Sequence, residues 1–392
     1  MVQAIPTFVM ACFKIPIGLC KHIETMIQKF WWEQRRDRRK VHWNNSDTLC
    51  RPKKEGGMGF KELCKFNDVM LAKQVWRLVR NKDSLFYKVF KSKYFPNSTI
   101  FEAKSTNGSY AWKSILKARR VITLGAKWHV GDGRCIHIYG DNWIPGEGLG
   151  KVISPRTSLA ANALVAELIH PVSSWWDSQI IVANFLPFEA QRIKAIPISS
   201  IAPDDILIWL KSSDRMYSLK TRYKALCEES LGDSASGSSS GIGRSLWLGV
   251  WKLQVLGKVK HFLWRACLDS LPTKRNLWRR KITACPKCEA CNSYPKNTIH
   301  ALWDCEEIKV VWERDFNWID RGKVSKGSFV DLWELLGTRL NTRELFAVTA
   351  WHLWTRQNKK RLNQTISPLQ QVTLKAHHYL SEYKKHNNAM VK

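Results

Sequence analysis

Residues 285–305 read CPKCEACNSYPKNTIHALWDC, and this stretch decides how the second half of the chain is interpreted. It brings together four of the chain's eleven cysteines and one histidine. Zinc in structural sites binds four thiolate or imidazole ligands in a tetrahedron, and a Cys-x-x-Cys turn supplies two of them. We therefore predict one structural zinc site here, rather than a set of ordinary buried or free thiols.

The spacing of this stretch offers five ligands for four positions. Two Cys-x-x-Cys pairs overlap, because Cys288 can pair with either Cys285 or Cys291. His300 follows Cys291 after eight residues, and Cys305 follows His300 after four. Spacing alone leaves the choice open. Four protein ligands close the site, so we expect a structural ion, whose apparent binding contributes on the order of 10 kcal/mol to folding.

The composition of the whole chain indicates a folded protein with a polyanionic partner. Its 392 residues include 63 Lys or Arg against 33 Asp or Glu, which gives a net charge of +30. Such an excess repels itself in a compact state and is typical of proteins that bind nucleic acid. Hydrophobic residues make up 44% of the chain and exclude global disorder, and the 20 tryptophans supply rings that can stack on bases.

The length favours two to three domains, at about 150 residues per domain. The strongest linker signal is the Gly/Ser-rich stretch 232–245, GDSASGSSSGIGRS. We therefore predict a connection-like region over residues 1–231 and a helical zinc-binding module over residues 246–392.

Apolar residues recur mostly at helical spacing, so the predicted fold class is α+β and predominantly helical. Two small β-hairpins are predicted over 128–139 and 206–219, where glycine or polar turns separate short β-prone runs. A helical stretch is predicted over 247–269. The other predicted helices cover 17–34, 66–80, 85–94, 110–120, 220–229, 306–313, 328–337, 342–362 and 368–386.

The cysteine usage and the apolar patterning predict a nuclear or cytoplasmic location. Eleven cysteines, an odd number, do not resemble a secreted disulfide framework. The apolar start of the chain lacks a basic leader region and is broken by Pro6, Lys14 and Pro16, so a signal peptide is rejected. No apolar run reaches about 18 residues, and no membrane segment is expected. The basic run 35–40 is a solvated helix end or a nuclear localisation signal.

The region around the cysteines resembles the zinc-binding domain of plant LINE-type (non-LTR) retrotransposon reverse transcriptases. That domain has a Trp-rich helix, then Leu-Pro-Thr, Asn-Leu and Arg-Arg-Lys, then Cys-x2-Cys-x8-His-x4-Cys and a Trp. The matching residues here are Leu271-Pro272-Thr273, Asn276-Leu277, Arg279-Arg280-Lys281, Cys288, Cys291, His300, Cys305 and Trp312.

The resemblance implies a ligand set that spacing alone leaves open. In the family pattern the paired ligands fall on Cys288 and Cys291, with His300 and Cys305 as the other two, so that Cys285 is spare. One departure favours the competing pair: the family often has a proline inside its cysteine pair, and here Pro286 lies between Cys285 and Cys288.

The resemblance also covers most of the remaining chain, but not the catalytic parts of the family. Segments such as KKEGGMGF (53–60), LAKQVWRL (71–78) and FAVTAWHLWTRQNK (346–359) are similar to the region after the polymerase core. The family's polymerase needs an aromatic-x-Asp-Asp turn, and Asp204-Asp205 lacks the aromatic residue. The carboxylates of an RNase H domain are not found either. The resemblance therefore implies a non-enzymatic fragment.

Two basic patches point to the partner. Residues 255–284 hold eight Lys or Arg and one acid, and residues 34–54 hold eight and two. We predict a non-catalytic, retroelement-derived protein that binds RNA or DNA mainly through phosphates, and Arg279, Arg280 and Lys281 are the predicted contacts. Three alternatives stay open: a module that docks on a polymerase or RNase H partner, an inactive reverse transcriptase/RNase H polyprotein fragment, and a pseudogene product.

Overall fold

The structure, a computed structural model, describes most of the chain. The described residues are 7–32, 41–104, 108–146, 150–171, 173, 175–199, 201–210, 212–232, 243–324, 327–337 and 339–390. The predicted basic run 35–40 and most of the predicted linker 232–245 lie outside them.

Helices dominate the described residues, which confirms the predominantly helical α+β class. The helices are α1 Thr7–Cys12, α2 Ile17–Trp32, α3 Ser46–Cys50, α4 Leu63–Arg80, α5 Leu85–Tyr94, α6 Tyr110–Lys117, α7 Arg119–Thr123, α8 Ser178–Asn184, α9 Pro187–Lys194, α10 Leu219–Gly232, α11 Arg244–Lys252, α12 Gly257–Cys267, α13 Lys274–Arg279, α14 Lys309–Trp312, α15 Arg321–Val324, α16 Phe329–Leu335, α17 Leu340–Arg361 and α18 Gln371–Met390. Among the described helices none combines the length and apolar character needed to span a membrane.

The chain forms two compact units. One contains Met1–Phe30 and Lys61–Gly237, and the other contains Trp31–Phe60 and Ser238–Lys392. The described residues of 31–60 belong with the second unit because they pack into its core, where Leu49 is fully buried. The Trp264 Nε1–H also donates to the Gly56 carbonyl at 2.8 Å. The sequence patterns group this segment with residues 1–231 and carry no sign of that long-range packing.

Helix α4 is the centre of the first unit. It packs against α1, α6, α7 and α10. Its side chain Asn67 is fully buried, accepts the Ile15 N–H at 2.8 Å and donates to the carbonyls of Met10 (2.7 Å) and Phe13 (2.9 Å). A buried amide that satisfies this many backbone groups fixes the N-terminal segment on the helix.

The first unit also holds the β-sheet, whose strands are far apart in sequence. Strand β1, Ala126–His129, pairs antiparallel with β2, Ile206–Trp209. The first strand of each predicted hairpin therefore forms, but the two strands pair with each other. Asp205, which directly precedes β2, explains the difference. Its carboxylate accepts the N–H groups of Gly131, Gly133 and Cys135 at 2.8–3.0 Å and so holds the glycine turn that follows β1 against the start of β2.

The predicted helix over 247–269 is split into α11 and α12. The break leaves the backbone N–H of Gln254 free of a helical hydrogen bond. This N–H donates instead to the buried carboxylate of Glu344 on α17 at 2.9 Å. It also allows both Leu253 and Val255 to be buried. A partner distant in sequence therefore stabilises the break, and helical periodicity does not reveal it.

An aromatic cluster forms the core of the second unit. Phe346, on α17, is fully buried, and its ring lies 4.9–6.3 Å from five other rings. These rings belong to Trp303, Trp312, Phe316, Phe329 and Trp333. Because Trp303 lies between His300 and Cys305 in sequence, the cluster anchors one half of the cysteine-rich segment.

Candidate metal centre

Four side chains of the cysteine-rich segment converge on one point. The ligand atoms of Cys288, Cys291, His300 and Cys305 all lie within 4.8 Å of one another. The two Sγ atoms of Cys288 and Cys305 are 3.9 Å apart, and Cys291 Sγ is 3.4 Å from His300 Nε2. A tetrahedron with usual zinc bond lengths has edges of about 3.8 Å between sulfurs and about 3.6 Å between sulfur and nitrogen. The spacing therefore fits a tetrahedral ion.

A tight turn presents the first two cysteines. The Cys288 N–H donates to the Tyr294 carbonyl at 2.8 Å, and the Asn292 N–H donates to the Cys288 carbonyl at 2.9 Å. Lys287 and Pro295 form an antiparallel bridge at the base of the turn. Asn292 has a φ of +54°, a left-handed conformation that asparagine adopts more readily than most residues. Residues 286–296 thus form a knuckle around one side of the centre.

Backbone N–H groups of the knuckle favour the anionic form of its cysteines. The pKa of Cys291 is lowered by hydrogen bonds from the backbone N–H groups of Tyr294 and Ser293. The pKa of Cys288 is lowered mainly by its hydrogen bond with Cys305, whose own pKa is raised by the same contact. Metals bind the thiolate and not the thiol, so the knuckle is arranged for a cation.

A π-helical turn, His300–Asp304, brings the other two ligands together. The Cys305 N–H donates to the His300 carbonyl at 3.2 Å, a bond that spans five residues. In an α-helix of about 3.6 residues per turn, side chains five residues apart point to widely different sides. The wider π turn reduces this difference. The Asn297 side chain accepts the His300 N–H at 2.8 Å and fixes the start of the turn.

The donor set indicates which ion fits. Three thiolates and one imidazole are a common ligand set for structural zinc, and soft sulfur ligands disfavour magnesium or calcium. Cys288, His300 and Cys305 are buried, and four protein ligands leave no open position. Cys285 is exposed and is not part of the cluster. The residues present therefore fit one closed, structural metal site.

The three basic residues predicted to bind phosphate lie at the far end of the helix whose first turn contacts the knuckle. Arg279, Arg280 and Lys281 are exposed at the end of α13. Lys274 ties that helix to the knuckle through an ion pair with Glu289 at 2.6 Å. An exposed cationic run therefore ends and follows the helix whose first turn contacts the knuckle.

The surroundings of these three residues differ. The Arg279 Nη1 atom is 3.7 Å from Asp269 Oδ2, a half-exposed pair. The Arg280 guanidinium lies over the Trp43 ring, 5.1 Å from its centre, and Lys281 has a left-handed φ of +56° in the turn after the helix. Sequence reasoning missed Trp43, because nothing local links residue 43 to residue 280.

Asp204-Asp205, the pair that lacks the polymerase motif's aromatic residue, has contacts that stabilise the fold. The Asp205 carboxylate accepts three backbone N–H groups next to the sheet. Asp204 is exposed and lies 3.5 Å from Lys82 Nζ. In the described part of the chain, the one group of three or more Cys, His, Asp or Glu residues with metal-binding geometry is the Cys288 cluster.

Comparison with known proteins agrees with this geometry. Residues 217–312 match the family model described as zinc-binding in reverse transcriptase. A putative ribonuclease H protein of Arabidopsis thaliana is 25% identical over 363 residues, which cover 90% of this chain and 57% of that protein. An uncharacterized mitochondrial protein of the same plant is 36% identical over 147 residues, or 37% of this chain and 96% of that protein. The chain thus spans little more than half of the first relative.

Proposed function

This chain belongs to the family of retroelement-derived reverse transcriptase regions that contain the zinc-binding domain, and from this we propose that it binds nucleic acid without catalysing a reaction. In the proposal Cys288, Cys291, His300 and Cys305 hold one zinc ion, which links the knuckle to the helical core. The observation that carries the proposal is the exposed Arg279–Lys281 run on a helix docked against that knuckle.

The proposed binding mode is mainly electrostatic. Guanidinium and ammonium groups neutralise phosphates and release condensed counterions, so affinity decreases linearly with salt on logarithmic axes. Exposed side chains at a helix end can reach the sugar-phosphate backbone of a nucleic acid without entering its grooves. This supports contacts to phosphates with little sequence-specific recognition of bases. RNA and DNA both satisfy this mode.

Removing the three basic residues should reduce both affinity and its salt dependence. Each phosphate contact contributes a slope of about −0.7 to −0.9, so Arg279→Ala/Arg280→Ala/Lys281→Ala should make the slope shallower by about 2 to 3. Fluorescence anisotropy with a labelled oligonucleotide at several salt concentrations measures this.

A matched triple variant provides the control for that experiment. Lys359→Ala/Lys360→Ala/Arg361→Ala removes the same charge from exposed positions at the end of α17 in the same unit. We expect its slope to stay close to that of the original chain. Equal losses in the two variants would mean that only net charge matters, and no binding at low salt would refute the proposal.

Docking on a polymerase or RNase H protein is the second candidate function. It is favoured by exposed apolar side chains beside the basic run, namely Trp278 (47% exposed) and Ile282 (54%). Apolar docking should hardly respond to salt, so the same salt series separates the two candidates. Nucleotide incorporation on a primed template with divalent metal would contradict the non-catalytic part of the proposal.

A further inference from the structure

Two half-buried tryptophans of the second unit carry a lysine on the ring face. Lys53 Nζ lies 4.7 Å from the ring centre of Trp251, and Lys258 Nζ lies 4.4 Å from that of Trp351. Both lysines are exposed, and both rings are partly exposed. These contacts were not anticipated from the sequence, because the paired residues are distant along the chain.

The first turns of α12 connect the two pairs. Lys258 and His261 are three residues apart on this helix, so they lie on neighbouring positions of one side. The His261 ring is 6.1 Å from the Trp251 ring, and Lys260 Nζ donates to the Trp251 carbonyl at 3.1 Å. We call Lys53, Trp251, Lys258, Lys260, His261 and Trp351 the α12 surface.

Two of the three lysines of the α12 surface, Lys53 and Lys258, have no acid among the described residues close enough for an ion pair. Within the part of the chain that the structure describes, neither Lys53 nor Lys258 makes an ion pair within 4.0 Å. The acid Glu344 is buried and is already engaged by Lys384 at 2.8 Å. Burial and, next, the charge of Lys53 lower the pKa of His261. The charge of Lys53 therefore reaches the His261 ring.

We propose that the α12 surface binds single-stranded nucleic acid, with bases stacked on Trp251 and Trp351 and phosphates on the lysines. This inference rests on the proposed function of nucleic-acid binding but assigns a surface separate from Arg279–Lys281. Its ligand is single-stranded because the faces of duplex bases are already stacked on one another.

The typical strengths of the two contacts favour a stacked base over a lysine on each tryptophan ring. An exposed cation–π contact contributes about two- to fivefold in affinity, whereas stacking of a base on an aromatic side chain contributes about five- to 150-fold. A base should therefore displace the lysine from the ring, and the released ammonium is then available for the adjoining phosphate. An acidic peptide supplies the negative charge but no base for the ring, so nucleic acid satisfies both parts of the surface.

Removing the two lysines tests the electrostatic part. Each phosphate contact at 0.1 M salt contributes about fivefold in affinity, so Lys53→Ala/Lys258→Ala should weaken binding of a labelled oligo-dT by about 25-fold. The control, Arg77→Ala/Lys93→Ala, removes the same charge from cations that lie over Phe86 and Tyr94 in the first unit. The control should bind like the original chain, and an equal loss in both would overturn the inference.

Replacing one ring tests the stacking part. Trp251→Leu should weaken oligo-dT binding by about tenfold or more, whereas Trp251→Phe, which keeps an aromatic face, should retain most of it. Circular dichroism should first be used to check that both variants are folded. Equal binding by these two folded variants would overturn the inference, as would duplex DNA or polyglutamate competing as well as oligo-dT.

The outcomes also separate this inference from the proposed function. If the Arg279–Lys281 variant loses affinity and the Lys53/Lys258 variant does not, the chain binds nucleic acid elsewhere and the α12 surface is refuted alone. If the original chain does not bind oligo-dT or RNA at all, both are refuted.

Discussion

Cys288→Ser is expected to abolish metal binding and the cooperative unfolding transition of the second unit. The residue is 2% exposed and belongs to the core cluster of that unit, so the change removes a ligand and leaves a hydroxyl in an apolar site. Apparent zinc binding on the order of 10 kcal/mol is comparable to the whole stability of a domain, roughly 5–15 kcal/mol. Zinc content and near-ultraviolet circular dichroism during heating measure the two effects.

Cys285→Ser is the matched control for this prediction. It makes the same chemical change three residues earlier in the chain, but Cys285 is exposed and outside the cluster. We expect this variant to keep one zinc ion and the original melting temperature. A Cys288→Ser chain that melts like the control, or a Cys285→Ser chain that loses its metal, would contradict the assigned ligand set.

Phe346→Ala is expected to give the largest loss of stability among substitutions away from the metal. The side chain is fully buried among five aromatic rings, and the change leaves a cavity between them. Truncation of a buried phenylalanine costs about 3–5 kcal/mol. Denaturant titration followed by tryptophan fluorescence should show a lower midpoint with a similar slope.

The effect of Phe346→Ala should extend to the metal, because Trp303 contacts this ring at 6.0 Å between centres and precedes Cys305 by two residues. We expect faster transfer of zinc to a chelator from this variant. The control is Leu340→Ala, a residue on the same helix that is 51% exposed, for which a change within about 0.5 kcal/mol is expected. Equal losses in the two variants would mean that the aromatic cluster does not support the second unit.

The parts of the molecule that depend on local sequence could be predicted. Helical spacing predicted α4 and α5 with nearly correct bounds. The family resemblance selected the four residues whose ligand atoms converge, because such a ligand set lies within about 20 residues of sequence. The choice between Cys285 and Cys291 could not be made from spacing alone. The π turn at His300–Asp304 was not predicted either, because it depends on packing of the segment against the core.

Features that depend on distant partners could not be predicted in this way. The pairing of β1 with β2 depends on Asp205, which binds backbone groups 70 to 74 residues away. The break between α11 and α12 depends on Glu344, and the placement of the loop at Gly56 depends on Trp264. In each case a buried side chain holds a backbone segment that is distant in sequence, and no periodicity along the chain records it.

The central claim is that one zinc ion is held by three cysteines and one histidine, and zinc K-edge X-ray absorption on the purified full chain tests it most directly. The account predicts one zinc per chain, with three sulfur neighbours at about 2.3 Å and one nitrogen at about 2.0–2.1 Å. A cooperatively folded chain without zinc, or a shell of four sulfurs in which Cys285 replaces His300, would contradict it.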